Sequence, residues 1–375
     1  MLTFKQYTLL SEGARIQHAE DIIFWEGSQG ALRALNSLKS IASDRYKDVS
    51  VKFDGSPAVI FGRDEDGDFI LTDKSGFVAK KYDGKSKSPS ELQNMLLNRS
   101  GGRNRENPSY VAFANRMKNI FPLYEKSVPE DFRGFFKGDL LYFNTPEVLD
   151  GRYTFTPNIV EYAVKTDSDL GKRIGASKSG IVIHRMIDSE GDESPLQSFD
   201  IFKGKDVLVL PPVIAQQPID IDEREITSIE SKIKRSASII DELLDSDTLR
   251  ELRLTDFPQI LYAYTNSKVD TGLDNLGKDF TSWLSNSKVS KVKQERISEY
   301  IQDNEEAFIE LWAIIEDLMN LKDTIIAQLD EQDIEVTQSI GGQRGGEGYV
   351  YADPAGDIKL VPRKTFTAAN RAVQR

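Results

Sequence analysis

The chain has 375 residues, 39% of them hydrophobic and 29% charged, with two histidines, no cysteine and a formal net charge of −12. That composition excludes disulfide and thiolate chemistry and a histidine-rich metal site, and no apolar run approaches the length that crosses a bilayer. A Ser-His-Asp triad would have to use His18 or His184, and neither lies near a G-x-S-x-G turn. The N-terminal residues lack the basic, apolar and small-residue series of a secretion signal, so a cytoplasmic protein without a membrane partner is expected.

Residues 1–50 open on polar sequence and then place Ala31, Leu32, Leu35, Leu38 and Ile41 at helical spacing. Residues 49–53 and 57–63 read as strands broken at Asp54-Gly55-Ser56-Pro57, and residues 64–73 as a hairpin turn with its return strand. Further strands are expected over residues 132–143, 179–187 and 206–214, the last closed by Pro211-Pro212. The texture changes at Pro218. Ile226, Ile229, Ile233, Ile240 and Leu244 fall near helical spacing, as do Ile297, Ile301, Phe308, Leu311, Ile315, Leu318, Ile325 and Leu329 in one long helix expected over residues 290–331. Glycine-rich turns and short strands return after residue 335.

The acidity is local. Residues 218–335 hold 27 acidic and 13 basic side chains, a net of −14, which leaves the rest of the chain at +2. Within that remainder, residues 80–118 carry nine basic side chains against three acidic ones. A polyanion would therefore meet the chain away from the helical segment. The expected footprint is Lys80, Lys81, Lys85, Lys87, Arg99, Arg103 and Arg105, and a solvated surface loop accounts for the same residues equally well. The apolar stripes of the helical segment read as core and its acidic faces as solvated surface, and a role as a lid, a protein-docking surface or a substitute substrate domain stays open.

Five short segments carry the chemistry. Lys52-Phe53-Asp54-Gly55 places an amine at a strand end, followed by a carboxylate and a glycine that permits a tight turn. Free lysine is protonated at neutral pH, with a pKa of ~10.4, and burial and neighbouring cations release its lone pair for nucleophilic attack. Lys74 follows about twenty residues later in T-D-K-S-G, Asp139 lies in F-K-G-D-L, and Glu347 and Lys359 lie in G-E-G-Y-V and K-L-V. The order K-x-D-G, G-D, E-G-x-V, K resembles the covalent nucleotidyltransferase superfamily of ATP-dependent RNA and DNA ligases and mRNA capping enzymes. Compact sequences with KFDGSP and a terminal EGYV, similar to RNA-ligase-like proteins encoded by tailed phages, resemble it most.

The resemblance implies an α+β fold of the ligase nucleotidyltransferase type, with antiparallel sheets around a nucleotide pocket and an inserted all-α domain. Its boundaries would be residues 1–217 for the first part, 218–335 for the acidic insertion and 336–375 for the completing segment. It implies Lys52 as the residue that becomes adenylylated by ATP with Mg²⁺ or Mn²⁺, Glu347 and Asp139 as metal ligands, and Asp54, Gly55, Lys74, Asp139 and Lys359 around the nucleotide. The substrate would be nucleic acid with 5′-phosphate and 3′-hydroxyl ends, RNA favoured over DNA, in the host cytoplasm if the chain is phage-encoded. The strand of residues 179–183 would help form the base pocket, with His184 beside it. His18 is a candidate for reading the base, and a structural role for it stays open.

Three departures stand out. The usual second lysine of K-x-K is Val361, with Arg363 or Lys364 expected to compensate; Pro57 stands where an arginine is common; and sixteen residues follow Lys359, too few for an OB domain. The last residues are expected to form a short basic helix. Two other functions remain open: transfer of GMP, or nucleotidylation of a protein or small molecule, and a binding or structural protein that keeps the fold without catalysis.

Overall fold

The computed structural model describes residues 17–367 except 44, 189, 195, 197, 270, 271 and 333. The expected N-terminal polar stretch and most of the expected basic tail helix lie outside the described residues. The protein is a mixed α/β chain with three sheets among the described residues. It divides into two units: residues 1–52, 214–334 and 347–375 form one, and residues 53–213 with 335–346 form the other. None of the described helices is long and apolar enough to cross a membrane.

In the first unit, helices Ile23–Ala42, Glu223–Leu243 and Glu305–Glu331 pack on one another. Each does so through the apolar stripe legible in its sequence: Leu35, Leu38 and Ile41, then Ile229, Ile233 and Ile240, then Leu311, Ile315, Leu318, Ile325 and Leu329, all buried. The Asp222 carboxylate caps the second helix by accepting from the Arg224 N–H. The single helix expected over residues 290–331 is two, Lys291–Asp303 and Glu305–Glu331, broken at Asn304. Trp312 anchors an aromatic cluster with Phe24, Tyr264 and Phe308, the ring centroids 5.2–5.9 Å apart.

These helices share their unit with a four-stranded sheet in the order Gln17–His18, Ile358–Leu360, Tyr349–Tyr351, Val49–Val51. The strands come from both ends of the chain. Residues 214–334, which hold nearly all of the acidic segment, group with residues 1–52 and 347–375. Their inward stripe is completed by the N-terminal helix, and Glu305–Glu331 also packs on strand Ile358–Leu360.

The second unit holds two sheets. One contains strands Ala58–Arg63, Phe69–Asp73, Gly134–Tyr142 and Ser179–Ile187, extended by Glu193–Ser194 and by Val207–Val209. Helices Pro89–Asn98 and Pro108–Ser127 bury Leu92, Leu96, Met117, Phe121 and Tyr124 against Phe61, Leu71 and Phe136 of this sheet. The other sheet, unforeseen in the sequence, runs Gln343–Arg344, Val336–Ile340, Glu161–Lys165, Arg152–Phe155, Glu147–Leu149. Its outer strand is exposed at every position, so it lacks the buried face that makes a strand recognisable by alternation.

Truncating Trp312→Ala removes the centre of the aromatic cluster and is expected to cost about 3–5 kcal/mol. Urea unfolding followed by circular dichroism should show a correspondingly lower midpoint.

Candidate active site

Strand alternation builds the site in the first unit. Val49, Val51, Tyr349, Tyr351, Ile358 and Leu360 are buried, and Ser50, Val350 and Lys359 between them are half-buried on the opposite face. Register places His18 opposite Lys359, Lys359 opposite Val350, and Val350 opposite Ser50. Lys52 follows Val51 at the same alternation and so turns to the face of Ser50 and Lys359. Its backbone N–H donates to the Gly348 carbonyl at 2.9 Å, extending the ladder by one bond.

That bond brings the E-G pair to the lysine. The Lys52 ammonium donates to Glu347 Oε1, joining residues 295 apart in sequence, and the two side chains are 20% and 16% exposed. Gly348 makes the approach possible. Its φ is +107°, and a Cβ there would lie 2.1 Å from the Leu360 carbonyl oxygen. Burial lowers the Lys359 amine from its usual range, and the nearby Lys52 charge lowers it further.

Behind this face lies a group that the motifs did not foretell. Glu20 and Lys322 are fully buried, Asp21 and Arg363 nearly so. Lys322 Nζ donates to Glu20 Oε1 at 2.7 Å; Arg363 holds Asp21 in a two-pronged pair, one bond at 3.0 Å, and lies 3.3 Å from Glu20. Burial opposes Glu20's ionisation, but Lys322 and Arg363 outweigh it and hold the carboxyl below its usual range. Burial pushes Asp21 up to about 6 against the pull of Arg363, and the like charge of Glu20 adds to it. A sequence signal for the group exists: Lys322 interrupts the stripe Leu311, Ile315, Leu318, Ile325, Leu329 at a core position.

His18 stands beside these charges. Burial holds its pKa well below the ordinary value, and Arg363, Lys322, Lys359 and Lys52 add to the effect, so the ring is neutral at pH 7. Among the described residues its buried Nδ1 has no hydrogen-bond partner. Arg363, expected to replace the missing second lysine of K-x-K, is instead turned onto Asp21 and Glu20, because a buried guanidinium requires carboxylate partners. Lys364 pairs with Asp274 at 3.1 Å.

The remaining expected residues belong to the second unit. Asp54 is buried, and its carboxylate accepts from Asn158 Nδ2 at 3.0 Å and from the Ile159 N–H at 3.1 Å. Both oxygens are thus engaged in holding the K-x-D-G turn to its neighbours. Gly55 serves close approach: a Cβ there would lie 2.5 Å from that of Asp139. Asp139 Oδ2 lies 2.8 Å from Nε2 of His184, the extra residue where register slips between the Lys137–Arg185 and Gly138–Ile183 pairs. Lys74 is exposed at the start of a short helix capped by Asp73.

The expected basic footprint is partly committed to the fold. Lys87 pairs with Asp64 and Asp68 at 2.9 and 2.8 Å, Arg99 pairs with Asp73, Arg105 donates to Asn98, and Lys85 lies 4.8 Å from the Phe77 ring centroid. Lys80, Lys81 and Arg103 are exposed.

The chain belongs to the DUF6267 family. Its sequence profile, described as a family of unknown function, matches residues 14–88 and 112–375. The matched residues include His18, Lys52, Asp139, Glu347, Lys359 and Arg363, and leave out Arg99, Arg103 and Arg105. No curated protein and no solved structure matches the chain.

Two outcomes follow from these geometries. Lys322→Met strands a buried carboxylate and should destabilise the fold by about 3–5 kcal/mol in chemical denaturation. His18 has a lower pKa folded than unfolded, so the unfolded chain binds its proton first and acidification below about 6.5 favours unfolding. NMR titration should show the His18 ring signals flat between pH 7 and 8, and His18→Phe should flatten the loss of stability below about pH 6.5.

Proposed function

We propose that this protein is a covalent nucleotidyltransferase, an ATP-dependent ligase of RNA ends that uses Lys52 as its nucleophile and has the ligase-type fold. The observation that carries the reading is the contact of Lys52 with Glu347 on the sheet face shared with Lys359. Three sequence motifs spread over more than 300 residues supply these groups. A nucleophilic amine, a carboxylate and a second cation are what in-line attack on an α-phosphate requires.

In the resting site the ion pair keeps Lys52 oriented. For attack the amine gives up a proton, for which Glu347 is the adjacent acceptor. The Nζ lone pair forms a P–N bond to the α-phosphorus as the bond to the bridging oxygen breaks and pyrophosphate leaves. Lys359 faces the developing negative charge. A 5′-phosphate oxygen next displaces the lysine and takes AMP, and a 3′-hydroxyl then attacks the activated 5′-phosphate and expels AMP. Mg²⁺ takes one or two carboxylates and completes its shell with water and phosphate oxygens, so Glu347 in this unit fits it. When bound, the cation offsets the triphosphate's charge. Among the described residues no group of three or more acidic or histidine side chains forms a cage made by protein alone.

Engagement of Arg363 by Asp21 and Glu20 favours one second reading, a binding protein that keeps the fold without the transfer step. One experiment separates them. Incubated with α-³²P-ATP and Mg²⁺ or Mn²⁺, the wild-type chain should carry label through a denaturing gel. Lys52→Ala should carry none, and Lys359→Ala should lower the labelling rate by about a hundredfold or more. Label retained by Lys52→Ala refutes the assigned nucleophile, and an unlabelled wild type refutes the ATP-dependent enzyme.

A further inference from the structure

The second unit contains a cavity that the transfer chemistry does not use. It encloses about 480 Å³ and is lined by helix Pro108–Ser127, the segment after strand Gly134–Tyr142, and Lys178. Ile120, Leu123 and Phe143 supply its apolar lining, Asn119, Asn144 and Thr145 its neutral polar groups, and Arg116 and Lys178 its charges. Among the described residues that line it, none is acidic. The Arg116 guanidinium sits 5.0 Å from the centroid of the Phe143 ring, and Phe113 buttresses that ring edge-on at 6.4 Å. Lys178 pairs with Asp206 at 3.2 Å, with both side chains well exposed, so the pair is open to exchange with a competing anion.

We propose that this cavity binds a nucleoside phosphate, as one nucleotide of a single-stranded nucleic acid. An aromatic ring with a cation above it is a platform on which any base can stack. The two cations match a phosphodiester, and the side-chain amides can meet base edges. Local charge sets this cavity apart from the expected basic footprint. Lys87 there pairs with two carboxylates and Arg99 with Asp73, whereas in this cavity Lys178 pairs with the exposed Asp206 and Arg116 lies over the Phe143 ring. The strand as ligand rests on the ligase reading; the cavity's affinity for a nucleoside phosphate does not.

Binding is therefore scored without ATP or metal, using the full chain. Fluorescence anisotropy with a 5′-fluorescein-labelled single-stranded RNA dodecamer gives the Kd, with unlabelled AMP as competitor. Arg116→Glu with Lys178→Glu, both at exposed positions, should weaken dodecamer binding at least tenfold, and Phe143→Leu, which keeps an apolar side chain, at least threefold. Displacement only by millimolar AMP identifies a strand as the ligand; displacement by micromolar AMP identifies a free nucleotide, and both uphold the site when the double variant abolishes them. The proposal fails if the wild type binds neither probe, if the double variant stays within twofold of wild type, or if Lys80→Glu with Lys81→Glu weakens binding as much. An absent lysyl-AMP band in the labelling experiment would sink the ligase while leaving this result standing.

Discussion

Four charges removed from water in the first unit must be satisfied by one another, and that constraint organises everything around them. Glu20 and Asp21 precede the first described α-helix, Lys322 lies on the buried face of helix Glu305–Glu331, and Arg363 follows the last strand. Their charges sum to zero, and removing any one leaves a partner uncompensated in a low-dielectric interior. The network therefore ties three distant stretches of chain together in one arrangement. Buried hydrophobic contacts supply bulk stability, but they tolerate repacking; a two-pronged guanidinium–carboxylate pair tolerates far less displacement.

The sheet beside this network inherits its order. His18 is two residues from Glu20, and Lys359 four from Arg363, so fixing the ion group fixes the parallel pairing of His18 with Lys359. Gly348 then lets the adjoining turn pass close to the Leu360 carbonyl, which delivers Glu347 to Lys52. The result is a half-buried face where two lysines, one glutamate and a neutral histidine meet. Burial and the Lys52 charge lower the Lys359 amine, and burial, with the Arg363 and Lys322 charges behind it, lowers His18. A face so constituted is short of negative charge, and it suits an anionic ligand better than a cationic or neutral one.

The second unit handles its charges differently. Asp54, Asp73, Asp64 and Asp68 are each engaged by a neighbour, so several groups that look available in the sequence are committed to holding turns and loops. Asp54 is the clearest case. A carboxylate two residues after the candidate nucleophile reads as a ligand-binding group, yet both oxygens are taken by Asn158 and the Ile159 N–H. Those two bonds hold the turn to residues 158 and 159. The cavity lined by Arg116, Phe143 and Lys178 sets two cations beside an aromatic ring, one of them paired with the exposed Asp206.

The sequence alone determined the mixed α/β class, the strand–turn–strand at Lys52, the strand Ser179–Ile187 and the helical periodicity after Pro218, because these are local patterns of period two or 3.6. Motif order also singled out Lys52, Glu347 and Lys359. Tertiary structure alone decided that Glu347 meets Lys52, that Arg363 pairs with Asp21 and Glu20, and that the acidic helices share a core with the N-terminal helix. Each of these is a pairing between residues hundreds of positions apart. A charged side chain does not encode its partner locally, because desolvation and geometry select among all available partners only once the chain has folded.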